Sequence, residues 1–260
     1  MAQRPLEAKR RSARIVNQAD VFRARILSLC HYTDIAPEYW HNGRVDLSDP
    51  TQSLIPSLDG AVLGVLAGTE GALSVTAIKR LARRGSRAGL SLALDRLTFH
   101  GLVIAEPANR GYMYRLNRHH VLTEAVLSAA SARAELLTRM RDGLTSWEPP
   151  PVHVCVFGSF ARSDGGPDSD IDVLVVTSDG VDRHAEWWTS QLTTWADNVL
   201  SWSGNRVELL SMSLSELAHA ARAEEPVLDS IRNDGVVLLG PAPSETIASA
   251  VRVGKKESNR

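Results

Sequence analysis

Two short apolar runs, Val152-His153-Val154-Cys155-Val156-Phe157 and Ile171-Asp172-Val173-Leu174-Val175-Val176, enclose a segment rich in Gly, Ser, Asp and Pro. Runs of this length, rich in β-branched residues and bounded by turn formers, read as strands. The first strand ends in Gly158-Ser159, where a short helix begins; a Gly/Pro loop follows, and the second strand carries Asp170 and Asp172. Successive side chains on a strand point to opposite faces, so Asp170 and Asp172 share a face while Ile171 and Val173 take the other. Two carboxylates about 7 Å apart along a strand suit hard divalent cations such as Mg²⁺. Glycine lets the backbone approach a ligand, and free amides at a helix start, with the Ser159 hydroxyl beside them, favour an anion such as a triphosphate.

This arrangement resembles the DNA polymerase β-like nucleotidyltransferase superfamily, most closely its minimal and aminoglycoside-type members. The family motif is Gly-Ser, a short helix, then Asp-x-Asp at the start of the next strand. Gly158, Ser159, Asp170 and Asp172 match it position by position, Arg162 fits the Ala-Arg that often follows, and Ser169 fits the Ser before the first Asp. The resemblance implies an enzyme that uses Mg²⁺ or Mn²⁺ to move a nucleoside monophosphate from an NTP to an acceptor hydroxyl, releasing pyrophosphate. Asp170 and Asp172 would bind the metal, Gly158 and Ser159 the phosphates, and Arg162 would support the triphosphate or the loop. The family adds a third carboxylate from a neighbouring strand. In Asn205-Arg206-Val207-Glu208-Leu209-Leu210 the candidate is Glu208, as metal ligand or as the base for the acceptor hydroxyl, although Asp is the more usual residue. Minimal members include toxin-antitoxin components, which implies a tRNA, protein or small-molecule acceptor and an antitoxin as partner. Asp164 and Asp168 read as loop residues, His153 and His184 as ordinary surface or core residues, and Cys155 as a buried, inert thiol.

Upstream, Leu58, Val62, Leu63, Val65 and Leu66 form a helical stripe ending at Gly68. A helix over 74–84 follows, with Ser74 as N-cap and Gly85 as its stop, and then one over 86–100, with Leu90, Leu94 and Leu97 inward. Leu102–Ala105 and Tyr112–Leu116, joined by a turn at Pro107–Gly111, read as a β-hairpin. Three helices and a hairpin resemble the winged helix-turn-helix family by element order. That resemblance implies DNA contact through Arg83, Arg84, Arg87 and Arg96 and through Arg110 at the wing tip. A winged helix used for protein contact or dimerisation is the other reading. Residues 119–147 read as one long linking helix, stopped by Pro149 to Pro151. Trp188, Leu192, Trp195, Val199 and Trp202 fall on one helix face, read as core; a further helix spans 214–233, and Val236–Gly240 is a last strand.

The 260 residues allow two domains, and the 2 cysteines, Cys30 and Cys155, cannot build a disulfide or zinc framework. No stretch has the roughly 20 apolar residues of a spanning helix, so a soluble, cytoplasmic protein without membrane contact is expected. Residues 1–44 carry 8 basic and 4 acidic groups, 45–150 carry 12 and 10, and 151–260 carry 9 and 16. The window 74–118 holds nine basic residues against Asp95 and Glu106, which points to a nucleic-acid partner for that half. The expected fold class is α+β: a basic, flexible extension over 1–44, a winged helix over 45–118, a linking helix over 119–150, an α/β nucleotidyltransferase domain with a small mixed sheet over 151–240, and a mobile tail over 241–260. The rival reading is a DNA-binding regulator whose C-terminal domain senses nucleotide without catalysis. A second copy of the chain, in a homodimer, is a further partner considered beside NTP and nucleic acid.

Overall fold

The structure is a computed structural model that describes residues 44–257, apart from Arg110 and Pro167. The expectations for residues 1–43, and for Arg110 as a wing-tip contact, lie outside the described residues.

The first half runs α1 (Pro50–Leu54), α2 (Leu58–Ala67), β1 (Leu73–Ser74), α3 (Val75–Ala82), α4 (Arg87–Phe99), β2 (Val103–Ala108) and β3 (Gly111–Leu116). Serine hydroxyls start three of these helices: Ser57 accepts from the Asp59 amide, Ser74 from Ala77 and Ser86 from Gly89, each satisfying a donor that the helix leaves open. Helix α3 ends at Ala82, two residues short of the expected Arg84, because Arg83 itself takes the left-handed conformation, at φ 55°. The strands form an antiparallel sheet in the order β1-β3-β2. Their register runs from Val103 opposite Leu116 to Ala108 opposite Gly111, so the hairpin turn is shorter than expected and Pro107 lies within β2. β2 is an edge strand, where the missing proline amide breaks no ladder bond. Ile78, Leu90 and Leu94 on the helices and Val103 and Leu116 on the hairpin close a first core.

The expected linking helix is two helices, α5 (Thr123–Ala130) and α6 (Ala132–Leu144), separated at Ser131. The Ser131 hydroxyl turns back to the Ser128 carbonyl at 3.0 Å, competing with the helical pattern. The break divides the cores: Val126 of α5 packs into the first, and Leu136, Leu137, Met140 and Leu144 of α6 into the second.

The second half runs β4 (His153–Phe157), α7 (Gly158–Arg162), β5 (Ile171–Thr177), α8 (Glu186–Ser203), β6 (Val207–Ser213), α9 (Leu214–Arg222), α10 (Val227–Asp234), β7 (Val236–Leu239) and α11 (Pro243–Glu257). The sheet order is β6-β5-β4-β7, with β5 parallel to β6 and the other pairs antiparallel, which makes it the small mixed sheet the sequence suggests. Trp147 stands edge-on to Trp188 and Trp195 at 5.5 and 6.0 Å, and the Trp195 indole N–H donates to the Met140 carbonyl, fixing α8 on α6. Trp202, expected in this stripe, is 38% exposed and lies beneath the Arg139 guanidinium.

Three further expectations change. The helix over 214–233 breaks after Arg222, where Glu224 takes a positive φ of 53° and Pro226 opens α10. The tail over 241–260 is not loose through its described part: α11 buries Thr246, Ile247 and Ala250 against its neighbours. Residues 44–49, divided in the sequence reading between the extension and the winged helix, lie on the second core as a strap. Its Leu47 is 7% exposed among the residues of that core, and the Val45 amide donates to the Ser203 carbonyl at 3.0 Å.

Candidate active site

Strand β4 delivers the chain to Gly158, whose φ of 72° an L side chain rarely adopts. A methyl group at that position would fall on the Asp172 carboxylate, so glycine is required twice over, by backbone shape and by space. Antiparallel pairing sets Asp172 opposite Phe157, the residue before the turn, and parallel pairing sets it beside Glu208 on the other flank. Gly158, Asp172 and Glu208 thus meet across three neighbouring strands. Asp170 precedes β5 on the same face by strand alternation.

The Asp172 carboxyl is raised above the ordinary carboxylate range by burial first, then by the charges of Glu208 and Asp170, with Arg162 offsetting part of the effect. One oxygen of Asp170, Oδ1, is buried without a hydrogen bond. Like charges held together, a buried acceptor with no donor and an all-carboxylate donor set are what a hard divalent cation would relieve. The residues present therefore fit such a cation at Asp170 and Asp172, with Glu208 alongside. The three side chains do not form a closed ligand cluster: among the described residues, no group of three His, Cys, Asp or Glu side chains is gathered as a metal centre.

Ser159 lies on the inner side of the loop, in a narrow cleft it shares with Ser163, Gly165, Ser169 and Asp170. Arg162 is turned to a bracing position: its guanidinium reaches Asp164 at 2.9 Å and Asp234 of α10 at 3.2 Å, tying the motif loop to the C-terminal helices. Asp164, read from sequence as a loop residue, is thus a partner of Arg162.

Two arginines at this site had no sequence signal. Arg133 of α6 donates to the carbonyls of Phe160 and Ala161 at 2.9 and 3.1 Å and stacks over the Phe160 ring at 4.8 Å, capping the C-terminal end of α7. Arg44, at the start of the strap, donates to the Asp168 carbonyl at 2.7 Å and stands 3.6 Å from Asp170 Oδ1. Both contacts join residues far apart in the chain, so neither period nor motif announces them.

The candidate nucleic-acid residues do not form one free patch. Arg84 pairs with Asp49 at 3.3 Å and Arg96 with Asp59 at 2.8 Å. Arg83 and Arg87 are exposed and make no ion pair among the described residues. The outer face of α4 exposes Leu92 and Phe99, at 60% and 86%, with Asp95 between them in sequence. No helix among the described residues is long and apolar enough to cross a membrane.

No curated protein matches the chain. Among solved structures, a toxin-antitoxin with AMP-PNP is similar at 17% identity over 48% of this chain and 89% of that one, with a TM-score of 0.31. A mutant of the toxin-antitoxin MntA-HpeT is similar at 16% identity over 47% and 90%, with a TM-score of 0.32. Residues 137–228, which run from within α6 through the glycine turn, the aspartate strand and Glu208 into α10, match the family model of the nucleotidyltransferase domain.

Proposed function

We propose that the protein transfers a nucleoside monophosphate from an NTP to an acceptor hydroxyl in a Mg²⁺- or Mn²⁺-dependent reaction. The observation that carries the reading is the register that sets Asp172 between the Gly158 turn and Glu208. Asp170 and Asp172 would hold the cation, which when bound supplies positive charge to the phosphoryl group under attack. Gly158 and Ser159 present backbone amide and hydroxyl to the phosphates. Glu208, the most exposed of the three acids, completes the carboxylate set or takes the proton of the acceptor hydroxyl. Arg162 and Arg133 keep the turn in place and touch no reacting atom. The acceptor class comprises a tRNA, a protein or a small molecule, and a protein antitoxin is the partner this reading anticipates.

The test is transfer of label from α-labelled NTPs into a cell extract in the presence of Mg²⁺. Wild-type protein is expected to label one acceptor, whose mass identifies it. Asp170→Asn and Asp172→Asn should each reduce transfer by about a hundredfold or more. Absence of transfer by the wild type, or transfer indifferent to both substitutions, overturns the reading.

A second reading concerns the first half, where the order helix, strand, helix, helix and hairpin favours a winged helix that contacts DNA. The exposed Arg83 and Arg87 support it, whereas the apolar outer face of α4 favours protein contact instead. Salt-dependent binding to duplex DNA without any nucleotide transfer is the behaviour expected of a regulator.

A further inference from the structure

We infer that Arg44 is a resident counter-cation of the candidate site, holding the Asp168–Asp170 segment in place without metal and opposing the entry of a divalent cation at Asp170. The inference rests on the reading of Asp170 as a cation ligand. Its basis is geometric. The Arg44 guanidinium donates to the Asp168 carbonyl at 2.7 Å, and the same nitrogen is 3.6 Å from Asp170 Oδ1. That oxygen is the buried one that accepts no hydrogen bond. The other guanidinium close to the aspartates, that of Arg162, is committed to Asp164 and Asp234.

Arg44 is held at this spot. The next residue, Val45, donates its amide to the Ser203 carbonyl, and two residues further Leu47 is buried in the second core. The Asp46 carboxylate accepts from the amides of Ser48 and Asp49 at 3.0 and 3.2 Å and closes the turn behind it. Leu47 and Ser48 also wall the cleft that contains Ser159 and Asp170. The strap is thus a wall of the site supplied from outside the stretch 137–228, and it brings a positive charge to an oxygen that a cation would use. Two cations on one carboxylate repel, so each weakens the hold of the other. The bond to the Asp168 carbonyl does not depend on the Asp170 charge.

The test is Mn²⁺ titration of the full chain without nucleotide, read by electron paramagnetic resonance of the free ion, on wild type, Arg44→Gln, Arg44→Lys and Asp170→Asn. Both Arg44 side chain and Asp170 are partly solvated, so Arg44→Gln is expected to bind Mn²⁺ about three- to tenfold more tightly than wild type. Arg44→Lys, which keeps the charge, should stay near the wild-type value, and Asp170→Asn should lose binding. Melting supplies a second readout: Mn²⁺ should raise the Tm of Arg44→Gln by more than it raises that of wild type. If Arg44→Gln binds no more tightly while Asp170→Asn loses binding, the inference is overturned and the reading of the site stands. If Asp170→Asn binds like wild type, the reading of Asp170 as a ligand fails, and the inference with it.

Discussion

Arg133 shows how one side chain sets the shape of the glycine turn from another helix. Its guanidinium serves two carbonyls at the end of α7 and covers the Phe160 ring, and burial lowers its pKa from the ordinary arginine value. Replacement by Met removes both hydrogen bonds, although the Phe160 carbonyl keeps the Ser163 amide as a donor, at a cost of about 1–2 kcal/mol. Because α7 begins at Gly158-Ser159, the expected kinetic outcome is a raised KM for the NTP, with Arg133→Lys recovering part of it; an unchanged KM in Arg133→Met contradicts the positioning role. At the far end of β4, His153 is fully buried, and burial lowers its pKa, with the Pro241 backbone offsetting part of the shift. The folded state therefore favours the neutral ring. Stability is fully present above the ordinary histidine value of about 6.5 and is lost as pH falls through the lower folded value. The Tm of wild type should fall between pH 7.5 and 5 by more than that of His153→Gln, and equal falls would remove His153 from the pH response.

At the level of elements, the strap is the piece that the sequence assigned to the wrong half. Leu47 belongs to the core of Met140, Trp147 and Trp195, so Leu47→Ala should cost about 2–4 kcal/mol, read by tryptophan fluorescence in urea. Five of the six tryptophans lie at or beyond Trp147, which makes that signal a report on the second core. A loss below about 0.5 kcal/mol would mean that the strap is not held there. The elements of the candidate site were the legible ones. β4, the glycine turn and β5 are short, apolar and bounded by turn formers, and the facing of Asp170 and Asp172 follows from alternation alone. The breaks were harder. Ser131 interrupts a helix without glycine or proline; Pro226 carried a readable signal that the apolar period of 214–233 obscured. In α11 the buried residues include Pro243, Thr246, Ile247 and Ala250, too small and partly polar to announce a core helix. The contacts of Arg44 and Arg133, and that of Arg162 with Asp234, were illegible for a different reason: each joins residues brought together by tertiary packing, and Asp234 is 72 positions from Arg162.

For the whole molecule, the charge count of a sequence window overstates the positive surface that a partner meets. The window 74–118 holds nine basic residues, but Arg84 and Arg96 are neutralised by Asp49 and Asp59, which lie outside it, and Arg115 by Glu106, which lies inside. Arg118 is turned to the carbonyls of Ala67 and Thr69. Among the described residues of that window, Lys79, Arg80, Arg83 and Arg87 remain exposed without an ion pair, all on α3, its end or the first turn of α4. Each phosphate neutralised contributes about −0.9 to the slope of log affinity against log salt. If this half binds duplex DNA through these four groups, the slope measured by fluorescence anisotropy should lie between about −2 and −4, and Arg83→Gln with Arg87→Gln should reduce its magnitude by about 2. A slope near −8 would require the paired arginines to abandon Asp49 and Asp59 on binding, and would show that the ion pairs of Arg84 and Arg96 are a resting arrangement. An affinity that ignores salt would assign this half to protein contact, through the exposed Leu92 and Phe99 of α4.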